Sequence, residues 1–387
     1  MPNRQGEKRG GVARMLGASA ACAGLWWAIA APCGAQDNDK PGPSAPSPSA
    51  AITIPPAPAQ PAAGDKSLPK PNQGYLGKLV ILHTTLTPAY GQGGEKKYPL
   101  TIGTVLQVHD ERLVDGTLYL QTRGGVLRAQ DVLLLETAVE QLSQQIATAA
   151  EQQQPAGKLL HLRGLVYHKQ GKFDRAGEDF TRAIVDATPP PAESLLARAE
   201  ARIEAHKPDE ALADCADLLA ANPQSAPALT LRAWAYYSLQ KYDDAAKSAA
   251  SAVESDPGYD LAYLIRGWIA DARGETAAAM ADFEKVLQLN PLSAAARNSL
   301  AWIKATSPEA KFYDPSNALK LAQAACDWDA YRNHAFLDTL ATCQAANGDF
   351  AAAIKTQTAA IAAAPAREQA DLQARLKLFQ ERRAYRK

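Results

Sequence analysis

The residues best suited to proton transfer or metal binding are thinly spread. The six histidines, His83, His109, His161, His168, His206 and His334, show no metal-ligand spacing. His161 and His168 stand seven apart, which puts both on one face of a helix, a pattern typical of a solvated stripe. No glycine-rich phosphate loop precedes a helix, and no serine or cysteine sits in a nucleophile-elbow context. Nothing assembles a catalytic constellation, so the expected protein is not an enzyme and uses no cofactor and no metal. The spacing that stands out belongs to aromatic rings. Trp234, Trp268 and Trp302 lie 34 residues apart, and indole faces at a fixed interval offer stacking surfaces, which is binding chemistry.

That interval is the period of a copied unit. Leu229, Ala233, Ala245 and Pro257 recur as Tyr263, Gly267, Ala279 and Pro291. A fixed period in this range implies a solenoid whose units bury their apolar faces against their neighbours. Copies begin near Gly157, Ala192, Ala226, Asp260, Ala294 and His334, and each reads as two antiparallel helices. Gly164, Ala199, Ala233, Gly267, Ala301 and Ala341 occur where the first helix must approach a neighbour closely, and Ala176, Ala211, Ala245, Ala279 and Ala353 do the same on the second. Larger side chains would push the axes beyond the usual 8–10 Å contact. Phe180 and Phe283 are expected to plug the gap to the following unit. Second helices end ahead of Pro223, Pro257, Pro291 and Pro365, because proline lacks an amide donor and disfavours helical geometry in the residue before it. Gly171, Gly274 and Gly348 supply turns within units, whereas the second unit has His206-Lys207-Pro208 there. In the fifth unit a longer segment carrying Phe312, Tyr313 and Asp314 replaces the turn and is expected to protrude. Beyond Pro365, Leu372, Leu376, Leu378 and Phe379 against Arg382, Arg383 and Arg386 fit a capping helix over 366–387.

In these residues the chain resembles the tetratricopeptide repeat family over roughly 230 residues. The resemblance implies a mainly α fold, an α-solenoid of about six units over 157–365, with a connecting helix in 137–156. It also implies that first helices line a concave groove and that the ninth place of the unit, held by Trp234, Trp268 and Trp302, faces it. The expected function is a scaffold that binds protein or extended-peptide partners there, with Tyr237, Leu264, Asp271 and Asn298 as flanking contacts. A polyproline II ligand returns the same face about every 9.3 Å, close to the spacing of adjacent helices, so a proline-containing peptide fits. The alternative, that duplication copied a core tryptophan three times, stays open. Where carboxylate-clamp members of the family carry Lys and Asn, only Lys158 agrees, against Glu193, Pro227, Leu261 and Ala295, so capture of a C-terminal carboxylate is not expected.

The remainder of the chain is of three kinds. Residues 1–35 have the basic, apolar and small-residue parts of a signal peptide, with cleavage expected after Ala35 and an uncleaved anchor as the alternative. Residues 36–73 form a Pro/Ala/Ser-rich linker that cannot bury enough apolar surface to fold, so a disordered, semi-stiff tether is expected. Residues 74–136 hold short β-type runs, at Leu79–Leu82, Thr104–Val108, Thr117–Gln121 and Val126-Leu127, separated by glycine turns. Their closing stretch, a strand, a glycine turn, a short strand and an Asp131-Val132 step, resembles bacterial Src-homology-type small β-barrels. That resemblance implies a cell-wall or peptide ligand, and Tyr75, Tyr90, Tyr98 and Tyr119 are the aromatics available for one.

Charge narrows the partners. The whole chain is formally neutral, and the leader carries a net +3, so the remainder is −3 and lacks the basic excess that nucleic-acid binding needs. A membrane partner is expected only if the leader stays attached. Without the leader three cysteines remain, Cys215, Cys326 and Cys343, an odd number that excludes a complete disulfide framework. Cys326 and Cys343 lie on consecutive helices and could pair, but buried small residues describe them better. The protein is therefore expected to be exported, to the periplasm or cell envelope. A second reading makes the barrel a binder of wall polymer and the repeats its spacer.

Overall fold

The computed structural model describes residues 75, 78–83, 102, 104–114, 117–122, 125–185, 187, 190–329 and 331–387. The leader, the linker, Tyr90 and Tyr98 lie outside the described residues. The chain divides into two compact units, with the boundary between Thr188 and Pro189.

The first unit opens with five strands, β1 (Leu79–Leu82), β2 (Val105–Val114), β3 (Thr117–Thr122), β4 (Gly125–Arg128) and β5 (Val132–Leu134). They form one antiparallel sheet in the order β4-β3-β2-β1-β5. Val80, Leu82, Leu106, Val108, Leu118, Leu120, Leu127 and Val132 make its core. The Asp-Val step is a single turn of 3-10 helix, Ala129–Asp131, that delivers the chain into β5. Arg128 donates to both Asp131 carboxylate oxygens, at 2.7 and 3.1 Å, and so fixes that turn. Three helices follow: α1 (Ala138–Glu151), α2 (Gly157–Lys169) and α3 (Phe173–Val185). Ile146 of α1 is buried among Leu160 and Ala183, so α1 covers the first hairpin as a leading half-repeat would. His168 is buried edge-on to Phe173 instead of lining a solvated stripe, and burial pushes its imidazole well below the usual range.

The second unit is built of helices α4 (Ala192–Glu204), α5 (Pro208–Ala221), α6 (Ala226–Ser238), α7 (Tyr242–Ser255), α8 (Asp260–Ala272), α9 (Thr276–Leu289), α10 (Ala294–Thr306), α11 (Pro315–Asp329), α12 (His334–Ala346), α13 (Phe350–Ala363) and α14 (Gln369–Gln380). Each packs on the next, and first helices also stack directly on first helices, α4 on α6, α6 on α8 and α10 on α12. The array is thus a run of antiparallel hairpins. Ser225, Ser293 and Asn333 cap α6, α10 and α12 by accepting from backbone N–H groups of the first turn. Asn222, Asp256 and Asn290, each before a proline, leave helical geometry and accept from the N–H two residues on, which sets the turn into the next hairpin. Gly274 and Gly348 take left-handed φ at the turns inside their hairpins, and His206 and Gln240 hold the same geometry at φ 60° and 58° despite their side chains. The turn of the second unit therefore keeps the common shape.

A size rule governs the hairpin interiors. A Cβ built on Gly164 would lie 2.6 Å from Phe180, and one on Gly267 would lie 2.6 Å from Phe283. Each ring sits against the glycine of its own hairpin, sixteen residues earlier, rather than serving only as a plug toward the following unit. Where the first-helix residue is alanine, Ala199 or Ala233, the residue sixteen later is smaller, Cys215 or Ala249, and all four are fully buried.

The fifth-unit insertion does not protrude. Phe312 packs against the main core, the Asp314 N–H donates to the Lys304 carbonyl at 2.9 Å, and Asp314 accepts from Asn317 at the start of α11. Cys215, Cys326 and Cys343 are all buried and none forms a disulfide. Burial pushes the Cys215 thiol up to about 12 and Cys343 higher still. Among the described residues, no helix is long and apolar enough to cross a membrane.

Candidate functional site

The three tryptophans stand on α6, α8 and α10 because the unit was copied, and each indole is closely packed, with 1%, 3% and 5% exposure for Trp234, Trp268 and Trp302. They are not an open ladder. Trp234 and Trp268 belong in full to the core, and Leu264 lies in the same core with no exposure, so it does not flank a groove. Tyr237 and Asn298 are also buried, with Tyr237 packed on Tyr242 at 6.0 Å between ring centroids. Of the expected flanking residues, Asp271 alone is partly open.

The polar edges of these helices differ from the apolar ones. The Trp268 indole N–H donates to Ser299 at 2.9 Å. The equivalent N–H groups of Trp234 and Trp302 are buried without a hydrogen-bond partner, as are Thr230 Oγ1, Asn298 Oδ1, Thr339 Oγ1 and Thr342 Oγ1. All of these orphans lie on first helices α6, α10 and α12.

A second periodic feature went unread in the sequence. Arg163, Arg198 and Arg266 on first helices form bidentate pairs with Asp179, Asp214 and Asp282 on second helices, sixteen residues later, at 2.6 to 3.2 Å. In the third unit Arg232 meets Ser248 at 3.1 Å instead. These pairs bolt each hairpin shut, and hydrogen bonding to the carboxylate raises the affinity of Arg163 and Arg266 for their protons. The signal was available: an arginine on the first helix of each of the first four units, 34 or 35 residues apart, with an aspartate sixteen later in three of them.

At the far end of the unit the residues after α14 return over the first helices. Arg382, at φ 54°, reverses the chain: its N–H donates to the Phe379 carbonyl at 3.0 Å and that of Arg383 to Leu378 at 2.9 Å. Tyr385 then lies 5.7 Å from the Trp302 ring, tilted by 34°. The Arg375 guanidinium, 5.7 Å from the Trp302 ring and 5.8 Å from Tyr385, is fixed by a 2.7 Å bond from Nε to buried Asp338. Lys387 Nζ holds both oxygens of Asp271, at 2.8 and 2.7 Å, and its N–H donates to the Thr306 carbonyl at 2.9 Å. Arg386 stacks 3.6 Å above Tyr313 of the fifth-unit insertion.

Comparison with known proteins follows the helical part. Tetratricopeptide repeat models match residues 157–184, 196–260 and 230–294. No curated protein matches the chain. Among solved structures, a tetratricopeptide repeat protein from Parabacteroides merdae is 18% identical with a TM-score of 0.42, covering 63% of this chain and 99% of its own. The Cut9–Hcn1 hetero-tetramer of APC/C aligns at 17% identity and a TM-score of 0.49, covering 58% of this chain and 42% of that one. Yeast Tom70 aligns at 21% and 0.43, covering 64% and 52%. The hairpins of residues 157–184 and 196–294 are tetratricopeptide repeats.

Proposed function

We propose that the first-helix face of the array binds a protein or an extended peptide and that the chain is a non-enzymatic scaffold. The observation that carries this is the gathering of orphaned buried polar atoms on first helices, Thr230, Trp234, Asn298, Trp302, Thr339 and Thr342. An unmet buried donor or acceptor costs about 1–3 kcal/mol, so native proteins keep few of them without a use. These atoms are closed to solvent in this conformation, so a peptide backbone, with a donor and an acceptor at each residue, meets them only where the first helices part to admit it. A proline-containing segment is proposed on the match between the polyproline II repeat and the helix spacing, not on stacking, since the indoles are buried. Export to the periplasm or cell envelope rests on the leader-like residues 1–35, with 36–73 as the tether.

The test separates stability from capture. Thr230→Val and Asn298→Leu remove orphaned atoms at nearly constant shape. The double variant is expected to be more stable by about 1 kcal/mol and to lose partners that the full chain captures from envelope extracts. A gain in stability with unchanged capture refutes the reading.

The five-stranded sheet favours a second reading, in which residues 74–136 close as a Src-homology-type barrel and bind wall polymer. Deleting that segment discriminates. Retained partner capture supports the scaffold, whereas loss of capture together with wall pull-down by the isolated segment supports the barrel.

A further inference from the structure

We infer that the groove across α8, α10 and α12 is a site for a peptide with an aromatic residue followed two places later by a lysine or arginine, and that residues Arg383–Lys387 are a built-in occupant which such a partner must displace. The inference rests on the peptide-binding reading above and adds the ligand's chemistry and its competitor.

One side of Tyr385 packs on the small core of Ala341, Ala345, Ala353 and Phe379, while the other contacts of the segment are those of a ligand. Tyr385 uses its ring face against Trp302 and the fixed Arg375 guanidinium. Lys387 uses its charge on Asp271, a carboxylate 116 residues away in sequence. The Lys387 backbone N–H donates to the Thr306 carbonyl, the last residue of α10. Ring, cation and main chain are therefore each met by a different receptor group. The segment has no regular secondary structure, and Arg383 and Arg386 are exposed, so apart from Tyr385 on its small core and Arg386 over Tyr313 it is held by these contacts alone. The receptor groups, by contrast, are built in: Arg375 and Asp338 are buried and paired at 2.7 Å. Trp302 owes part of its burial to Tyr385, and its indole N–H stays unmet even with the segment in place. An occupant that leaves a buried donor unsatisfied is a replaceable one, because a better ligand gains about 1 kcal/mol or more by meeting it.

The tether makes the competition strong. The segment follows α14 directly, so its effective concentration at the groove is on the order of millimolar, and an outside peptide of equal contacts competes poorly until the segment is weakened. Breaking the Lys387–Asp271 pair should therefore uncover the site.

The experiment uses the full chain and a fluorescein-labelled synthetic peptide with the sequence of residues 381–387, Glu-Arg-Arg-Ala-Tyr-Arg-Lys, followed by fluorescence anisotropy. Lys387→Glu turns the built-in pair repulsive without touching the core. We expect the peptide to bind this variant at least about tenfold more tightly than the parent chain. Adding Asp271→Lys should abolish peptide binding while re-pairing the segment in cis. In parallel, acrylamide quenching should rise in Lys387→Glu, and the rise should vanish when Trp302→Phe is added, which assigns it to that ring. Equal peptide affinity for parent and Lys387→Glu overturns the proposal, as does absence of binding to both while circular dichroism is unchanged. Capture of partners that is sensitive to Thr230→Val and Asn298→Leu but indifferent to Lys387→Glu leaves the groove reading standing and removes this one.

Discussion

Gly267→Ala puts the size rule of the hairpin interior to a quantitative test. The new Cβ would lie 2.6, 2.9 and 3.0 Å from the Cε1, Cδ1 and Cζ atoms of Phe283, a ring with 1% exposure. Carbon atoms settle at about 3.5–4 Å, so ring or helix must move by roughly 1 Å in a site with no room to give. Overpacking of this kind costs about 1–3 kcal/mol. Alanine in a helix interior returns up to about 1 kcal/mol over glycine. The net expectation is a loss of about 1 kcal/mol. In a Phe283→Ala background the clash is gone and the pair becomes the Ala233–Ala249 combination already present in the third unit, so the same substitution should gain about 1 kcal/mol. The sign reversal is the test, because a pure propensity effect would have one sign in both backgrounds. Urea denaturation followed by far-ultraviolet circular dichroism measures all four corners of the cycle, with slopes compared because repeat arrays can depart from two-state behaviour. Stabilisation by Gly267→Ala in the parent chain, or additivity of the two changes, would show that the ring does not need the glycine.

Two further expectations follow from single residues. His206→Gly should stabilise the second unit by about 0.5–1 kcal/mol in thermal melts, since the left-handed φ of 60° penalises a side chain there and glycine meets that geometry in other units; a loss would mean the imidazole holds the turn. Asp260 is buried at the start of α8, accepts from Asn290 at 2.9 Å, and is raised above the ordinary aspartate range, chiefly by desolvation. A carboxyl raised on folding lends stability below its unfolded pKa and loses it as pH climbs through the folded one. Asp260→Asn should therefore be more favourable relative to the parent at pH 7 than at pH 3.5, and a difference with no pH dependence would remove the assignment.

How much was legible follows from what repeats and what does not. The hairpins could be read because each unit restates its small residues, its prolines and its turn, and restated patterns average out local noise. Gly164 and Gly267 were recognised as contact points, yet their partners were not, because Phe180 and Phe283 recur only in two units and their role shows only beside Cys215 and Ala249 in the others. The Arg–Asp bolts recur in three of the first four units, with Ser248 replacing the aspartate in the third, and were legible in principle. They were masked because charged residues on helices usually face solvent. The inserted segment is expected from the sequence to protrude and does not, since an insertion's length is written in sequence but its return path is set by tertiary contacts such as Phe312 on the core. Nothing in the local pattern around Arg382 announces that the chain doubles back, because a non-glycine residue in left-handed geometry has no sequence mark. The Tyr385–Trp302 and Lys387–Asp271 contacts, which follow from that reversal, were out of reach for the same reason.

The three tryptophans show how duplication copies a residue without copying its environment. The residue 31 places beyond Trp268 is Ser299, which accepts the indole proton. The same offset from Trp234 reaches Ile265, an apolar core residue, and from Trp302 it reaches Asn333, whose side-chain oxygen is engaged in capping α12. One indole is thus satisfied within the fold and two are left with a buried unmet donor, a difference worth about 1–3 kcal/mol at each ring. Core packing explains why a large ring persists at this place of the unit, but it does not explain a polar edge left unmet when phenylalanine would fill similar space without the penalty. At Trp302, the unmet edge coincides with the one indole that the chain's own aromatic-basic segment covers. The indole that contributes least to a settled core is therefore the one at which a ligand has most to gain.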